Sequence, residues 1–226
     1  MDIKLIVFDV DGTIAEPNSP VDRKVSEKLQ CFERRGIRIA FASGKNASYL
    51  SGLARCIGLA DPIIIGENGC IIFYPKELRE MILIKKPIEI RKIETSIVNH
   101  FADTIWISPN QVQLTVFPKA KKDMQTLKEY IKNTSCNINY VFTVFEHDDA
   151  IDILPAGINK GKALADVRDL VDIKKENVMA VGDSINDISM FEDCCMSLII
   201  GKNLKYNSYD VFNTIHDALD FIETNF

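Results

Sequence analysis

An apolar run from Ile3 to Phe8, broken only by Lys4, ends in Asp9-Val10-Asp11-Gly12-Thr13. A run of this kind reads as a buried strand. Carboxylates at i and i+2 lie on the same side of an extended backbone, so Asp9 and Asp11 leave the strand's end together. Gly12 then allows a sharp exit and leaves room for an anion to approach the backbone. Two acids so placed require a cation, a proton, or both, and the fold has to be built around that requirement.

With 226 residues, 46% of them hydrophobic, the chain can bury a full core as one large or two small domains. A net charge of −5 argues against a nucleic-acid partner. No apolar run reaches the roughly 18 residues of a membrane span. Asp2 and Lys4 lead straight into a core strand, so no secretory signal is expected and the chain reads as cytoplasmic. Cys31, Cys56, Cys70, Cys136, Cys194 and Cys195 contain no C-x-x-C pair, and no histidine stands at zinc-finger spacing. Most of them read as buried small apolar side chains, with a strained Cys194–Cys195 bridge as the alternative.

Apolar strands alternate with helical spacing through the first third of the chain. Val21, Val25, Leu29 and Phe32 mark a helix stopped by Gly36, Ile37 to Ala42 a strand, and Ser43-Gly44 the turn into a helix reaching about Ile57. Pro62 to Ile65 is a third strand, and Glu67-Asn68-Gly69 turns into a hairpin strand at Cys70 to Phe73. The pattern changes near Met81. Ile88 to Phe101 is helical, Val112, Leu114 and Val116 alternate with Gln113 and Thr115 as in a half-exposed antiparallel strand, and a further helix and two strands follow. From Asn159 the strand–helix alternation returns. The expected architecture is α/β: a doubly wound, Rossmann-like parallel-sheet core (residues 1–82 and 154–226) with an inserted α+β domain (83–153).

Three apolar strands end in polar turns, at Asp9/Asp11, at Ser43 and at Asp183. In a doubly wound sheet the carboxyl ends of the strands share one edge, so these residues converge. Gly182-Asp183-Ser184-Ile185-Asn186-Asp187 adds a second acid pair, with Asp187 in the first turn of the following helix. Taken alone, Asp183 and Asn186 also fit a purely helix-capping role. Four carboxylates aimed at one pocket repel unless a cation sits among them, and an oxygen-only set favours Mg2+. Lys160 follows an apparent N-cap, Asn159, where the helix dipole disfavours a cation. A bound anion would remove that penalty; alone, Lys160 beside Lys162 also fits a solvated surface. Gly157 to Lys162 is not a phosphate-binding P-loop, since its spacing is one residue short and Ala163 replaces Ser/Thr.

Asp9-Val10-Asp11-Gly12-Thr13, Ser43-Gly44, Lys160 and Gly182-Asp183-x-x-Asn186-Asp187 together resemble, in order, the four motifs of the haloacid dehalogenase-like phosphohydrolases. The inserted domain resembles that of the sucrose-phosphate phosphatase-like and phosphomannomutase-like subgroup. The passage from Ile153 to Gly161 and the compact length are most similar to archaeal phosphoglycolate phosphatases. The resemblance implies that Asp9 is a nucleophile forming an aspartyl phosphate and Asp11 an acid/base. It implies Mg2+ held by the Asp9 side chain, the Asp11 backbone carbonyl and Asp183, with Asp187 close by. Ser43, Gly44 and Lys160 would bind phosphate, with Thr13 and Asn186 in support. Lys45 departs from the arginine frequent in relatives.

The implied activity is phosphatase action on a small phosphorylated metabolite, with 2-phosphoglycolate leading and sugar phosphates or a phosphomutase as rivals. A homodimer stays open. The inserted domain is expected to set specificity, together with Glu67-Asn68-Gly69. The Glu146-His147-Asp148-Asp149 cluster reads as a solvated loop, and Trp106, the only tryptophan, as a core residue.

Overall fold

A computed structural model describes residues 2–136, 138, 140–201 and 210–226. In chain order the elements are β1 (Leu5–Phe8), α1 (Arg23–Arg34), β2 (Arg38–Ala42), α2 (Ala47–Ile57), β3 (Ile63–Gly66), β4 (Ile71–Tyr74) and β5 (Arg79–Ile82). Then come α3 (Ile88–Phe101), β6 (Ile105–Ile107), β7 (Leu114–Pro118), α4 (Met124–Cys136), β8 (Phe142–Glu146) and β9 (Ile151–Pro155). Last are α5 (Lys160–Leu170), β10 (Val178–Gly182), α6 (Ile188–Phe191), β11 (Met196–Ile200), β12 (Asp210–Phe212) and α7 (Ile215–Asn225). The chain divides into one unit of Met1–Leu83 with Asn159–Phe226 and another of Ile84–Ile158.

In the first unit the described strands form a sheet ordered β12-β11-β10-β1-β2-β3-β4-β5. All neighbours pair in parallel except β3–β4 and β4–β5. The central strands read as continuous apolar runs because helices cover both faces. β1, with the sequence LIVF, is buried at every residue. One core layer joins Leu5, Val7, Ala40 and Ile63 of the sheet to Ala163, Leu164 and Val167 of α5. The sheet is thus the expected parallel α/β core. β5 and β12 lie outside the sequence expectation because neither carries an apolar run, and both sit at sheet edges.

The second unit holds an antiparallel sheet ordered β6-β7-β9-β8. α3 and α4 pack on it through Ile90, Ile93, Ile97, Leu127 and Ile131 against Leu114, Val116, Ile151 and Ile153. The alternating residues Gln113 and Thr115 were expected to be half exposed but are buried. They satisfy each other, since the Gln113 amide donates to Thr115 Oγ1 at 2.6 Å and Asn110 donates to the same oxygen at 2.8 Å. Trp106 is also not a core residue. It is 53% exposed, because β6 alternation puts Ile105 among the apolar side chains and turns Trp106 to the other face, beside Phe117. Asp148 and Asp149 are exposed, as a solvated loop requires, whereas Glu146, also exposed, ends β8 and pairs with Lys128 at 2.9 Å. Half-exposed His147 lies 3.2 Å from Asp152.

Among the described residues, no helix is long and apolar enough to cross a membrane. The cysteines are free thiols rather than a Cys194–Cys195 bridge, and most are not buried as expected: Cys70 and Cys194 are, while Cys56 and Cys136, on the outer faces of their helices, are exposed. Burial pushes the Cys194 and Cys195 thiols up, so neither is an activated nucleophile.

Candidate active site

The site begins with the register of three parallel strands. β1 lies between β10 and β2, with Phe8 beside Val181 and Phe41. Their carboxyl ends share an edge, so the turns that start at Asp9, Ser43 and Asp183 leave from one place. The Asp9 backbone N–H continues the ladder by donating to Val181 O at 2.9 Å. Gly12, at φ +85°, turns the chain, and a Cβ there would stand 2.4 Å from Asp183 Oδ2. The glycine is therefore required twice, for its backbone angle and for the space that Asp183 occupies.

Lys160 is the hub of the cluster. It is the first residue of α5, behind Asn159, whose side chain accepts from the Lys162 N–H. Its side chain is 1% exposed, and its ammonium donates to Asp9 Oδ1 and Asp187 Oδ1, each at 2.6 Å. The solvated-surface alternative for Lys160 is thereby removed. Thr13 Oγ1 completes the links, at 3.2 Å from Asp9 Oδ2 and 3.4 Å from Asp183 Oδ1. α5 approaches this closely because residue 161 is glycine, where a Cβ would meet the Ser189 carbonyl oxygen at 2.0 Å.

Asp187 is wholly buried and engaged at both oxygens. While Oδ1 holds Lys160, Oδ2 accepts from Asp183 N at 3.0 Å and from Ser184 N and Oγ at 3.1 Å each. This is a capping box with Ser184 as its N-cap. The expected helix after β10 is accordingly a tight turn, Ile185–Asp187, followed by the single turn of α6.

Charge decides what the cluster can hold. Asp9, Asp183 and Asp187 place carboxylate oxygens within 4.8 Å of one another. Three carboxylates against one ammonium leave an excess of negative charge in a largely dry place. Burial, opposed by Lys160 and reinforced by Asp187 and Asp183, pushes Asp9 up to about 7. Burial and then Asp187 push Asp183 up to about 6. Burial opposes the Lys160 charge too, but Asp187 and Asp9 outweigh it and hold the ammonium above its usual range. A hard divalent cation would relieve this excess, and the oxygen-only donor set fits Mg2+.

The remaining expected residues fall around this cluster. The Asp11 carboxylate is not one of the three; it pairs with Lys45 at 3.0 Å. Ser43 is buried at the end of β2, with Gly44 after it, and its hydroxyl accepts from Lys45 N at 3.3 Å. Asn186 donates to Asn68 Oδ1 at 3.3 Å. Glu67 and Asn68, expected at a substrate-facing turn, are 0% and 1% exposed. Sequence reasoning missed the Lys45–Asp11 pair, although the lysine directly after Ser-Gly was a usable signal.

The chain is similar in sequence and in fold to known hydrolases. A family description of haloacid dehalogenase-like hydrolases matches residues 6–107 and 84–205. Phosphoglycolate phosphatase 1 of Saccharolobus solfataricus is 27% identical, across 99% of this chain and 90% of its own length. The 5-amino-6-(5-phospho-D-ribitylamino)uracil phosphatase of Bacillus subtilis is 26% identical, across 100% of this chain and 92% of its own. In fold, the crystal structure of a haloacid dehalogenase-like hydrolase from Bacteroides thetaiotaomicron superposes with a TM-score of 0.84 at 19% identity, over all of both chains.

Proposed function

The chain belongs to the haloacid dehalogenase-like hydrolases, and on that premise we propose that it is a Mg2+-dependent phosphoric monoester hydrolase acting on a small phosphorylated metabolite, foremost 2-phosphoglycolate. The observation that carries this is Asp9 at the end of β1, with one oxygen on Lys160 and the other on Thr13, among the carboxylates of Asp183 and Asp187.

In this mechanism an Asp9 oxygen attacks phosphorus and the bond to the ester oxygen breaks. Asp11 gives the leaving oxygen its proton. Asp11 then takes a proton from a water molecule, which attacks phosphorus and releases Asp9 and inorganic phosphate. The Asp11 carboxylate stands outside the Asp9–Asp183–Asp187 group, 3.0 Å from Lys45, and so is left available for proton transfer. Lys160 and the Ser43 hydroxyl stabilise the charge spread over the phosphoryl oxygens. Asp9 and Asp183, with the Asp11 carbonyl, would hold Mg2+, which supplies positive charge against these carboxylates and the phosphoryl group. Asp187, already engaged at both oxygens, supports them by holding Lys160 and the Asp183 turn. We assign the phosphoryl chemistry to the first unit and substrate choice to the second.

Several relatives named phosphoglycolate phosphatase favour that substrate, while the relative named for a ribitylaminouracil phosphate favours a larger ester. The test is phosphate release with Mg2+ across 2-phosphoglycolate, hexose phosphates and phosphoribityl compounds, with EDTA controls. Selective, EDTA-sensitive release from phosphoglycolate is expected. Preference for a larger ester would keep the chemistry and replace the substrate, and no release from any ester would reject the phosphatase.

A further inference from the structure

The turn between β3 and β4 touches each group of site residues without belonging to any of them. Glu67 and Asn68 both stand at φ +53°, and Gly69 at φ +101°. Asparagine tolerates the left-handed region better than most residues and glutamate does not, so buried Glu67 is held here against its backbone preference. Such strain persists only where the surroundings over-determine it.

Three connections do so. The N–H groups of Glu67 and Asn68 donate to the carbonyls of Lys45 and Ser43, each at 2.9 Å, clamping the turn that follows β2. Gly69 lies against the residue before Lys160, where a Cβ would stand 2.2 Å from the Asn159 carbonyl oxygen. Asn68 Oδ1 accepts from the Asn186 side-chain amide, whose Oδ1 accepts from the hydroxyl of Ser184, the N-cap of the Asp187 turn. One buried turn thus bears on the Ser43 turn, the start of α5 and the acid turn after β10.

We propose that Asn68 is a positioning residue for phosphoryl transfer: through its backbone it fixes Ser43, and through Asn186 it fixes the turn carrying Asp183 and Asp187. This rests on the function proposed above for what the positioned groups do.

The test is a double-mutant cycle of Asn68→Gly, Asn186→Ala and the pair, read in kcat, KM and Mg2+ affinity by calorimetry, with thermal melts on each variant. Glycine keeps the left-handed backbone and removes only the amide. Outer supports of a metal site typically contribute about 10–100-fold, so each single variant should lose that much in kcat and Mg2+ affinity. The pair should lose no more than about twofold beyond the worse single variant, as residues acting through one bond do. Values within about twofold of wild type for Asn68→Gly, or losses that multiply in the pair, overturn the assignment. Asn186→Ala breaks the same bond from the other side, so wild-type values there overturn it even if the glycine variant does not fold. A wild type without phosphatase activity would count against the proposed function, while the Mg2+ affinities of the cycle still decide the role of Asn68.

Discussion

At the scale of single residues, Lys160 does two things at once. It is the buried counter-charge of Asp9 and Asp187, and in the proposed reaction it is also a phosphate ligand. Removing it leaves buried carboxylates uncompensated, which typically costs about 3–5 kcal/mol. Lys160→Ala should therefore lower the melting temperature of the metal-free protein and lower kcat about 10²–10³-fold, the usual loss for one such donor. Mg2+ should restore more stability to the variant than to the wild type; equal restoration in calorimetric melts would mean that Lys160 and the ion do not share these carboxylates. Lys160 stood out because a cation just after an N-cap conflicts with the helix dipole, but only its place among the other motifs set it apart from a surface lysine. Its burial was not legible, since that depends on Asp9, 151 residues away in sequence. The Asn68–Asn186 bond, across 118 residues, was hidden for the same reason.

At the scale of elements, the site depends on α5 packing closely on the turn of α6. Gly161 permits this, because a Cβ there would meet backbone, which cannot swing aside as a side chain can. Gly161→Ala should destabilise by at least the ~1–3 kcal/mol typical of overpacking. It should also cut kcat by displacing Lys160, the neighbouring residue. A stable variant with wild-type kcat would show that the spacing of α5 and α6 does not matter to the site. Helices and central strands were readable from their apolar period, as with Val25, Leu29 and Phe32 of α1 and the LIVF of β1. β5 and Trp106 were not, because register in the folded sheet places them, and composition does not encode that.

At the scale of the whole molecule, the acid cluster links stability to pH and, on the proposed function, to metal. Asp9 and Asp183 titrate near 7 and 6 in the folded metal-free protein, against 3.8 ordinarily. Between those values the folded chain holds protons that the unfolded chain has lost. The contribution of these groups is thus greatest below the lower value and is lost as pH rises towards 7. In the proposed reaction Mg2+ would compete with the same protons, so the gain in melting temperature from Mg2+ over EDTA should grow between about pH 5 and pH 8. A gain that is flat or shrinks over that range would place the ion elsewhere. The central claim is that Asp9 carries the phosphoryl group, and the most direct measurement is phosphate release by Asp9→Asn with Mg2+ and the ester the wild type turns over best. The amide is nearly isosteric but a poor nucleophile, so the variant should fold, melt near the wild-type temperature and release no phosphate. Mg2+-dependent release at a rate near that of the wild type would contradict the mechanism.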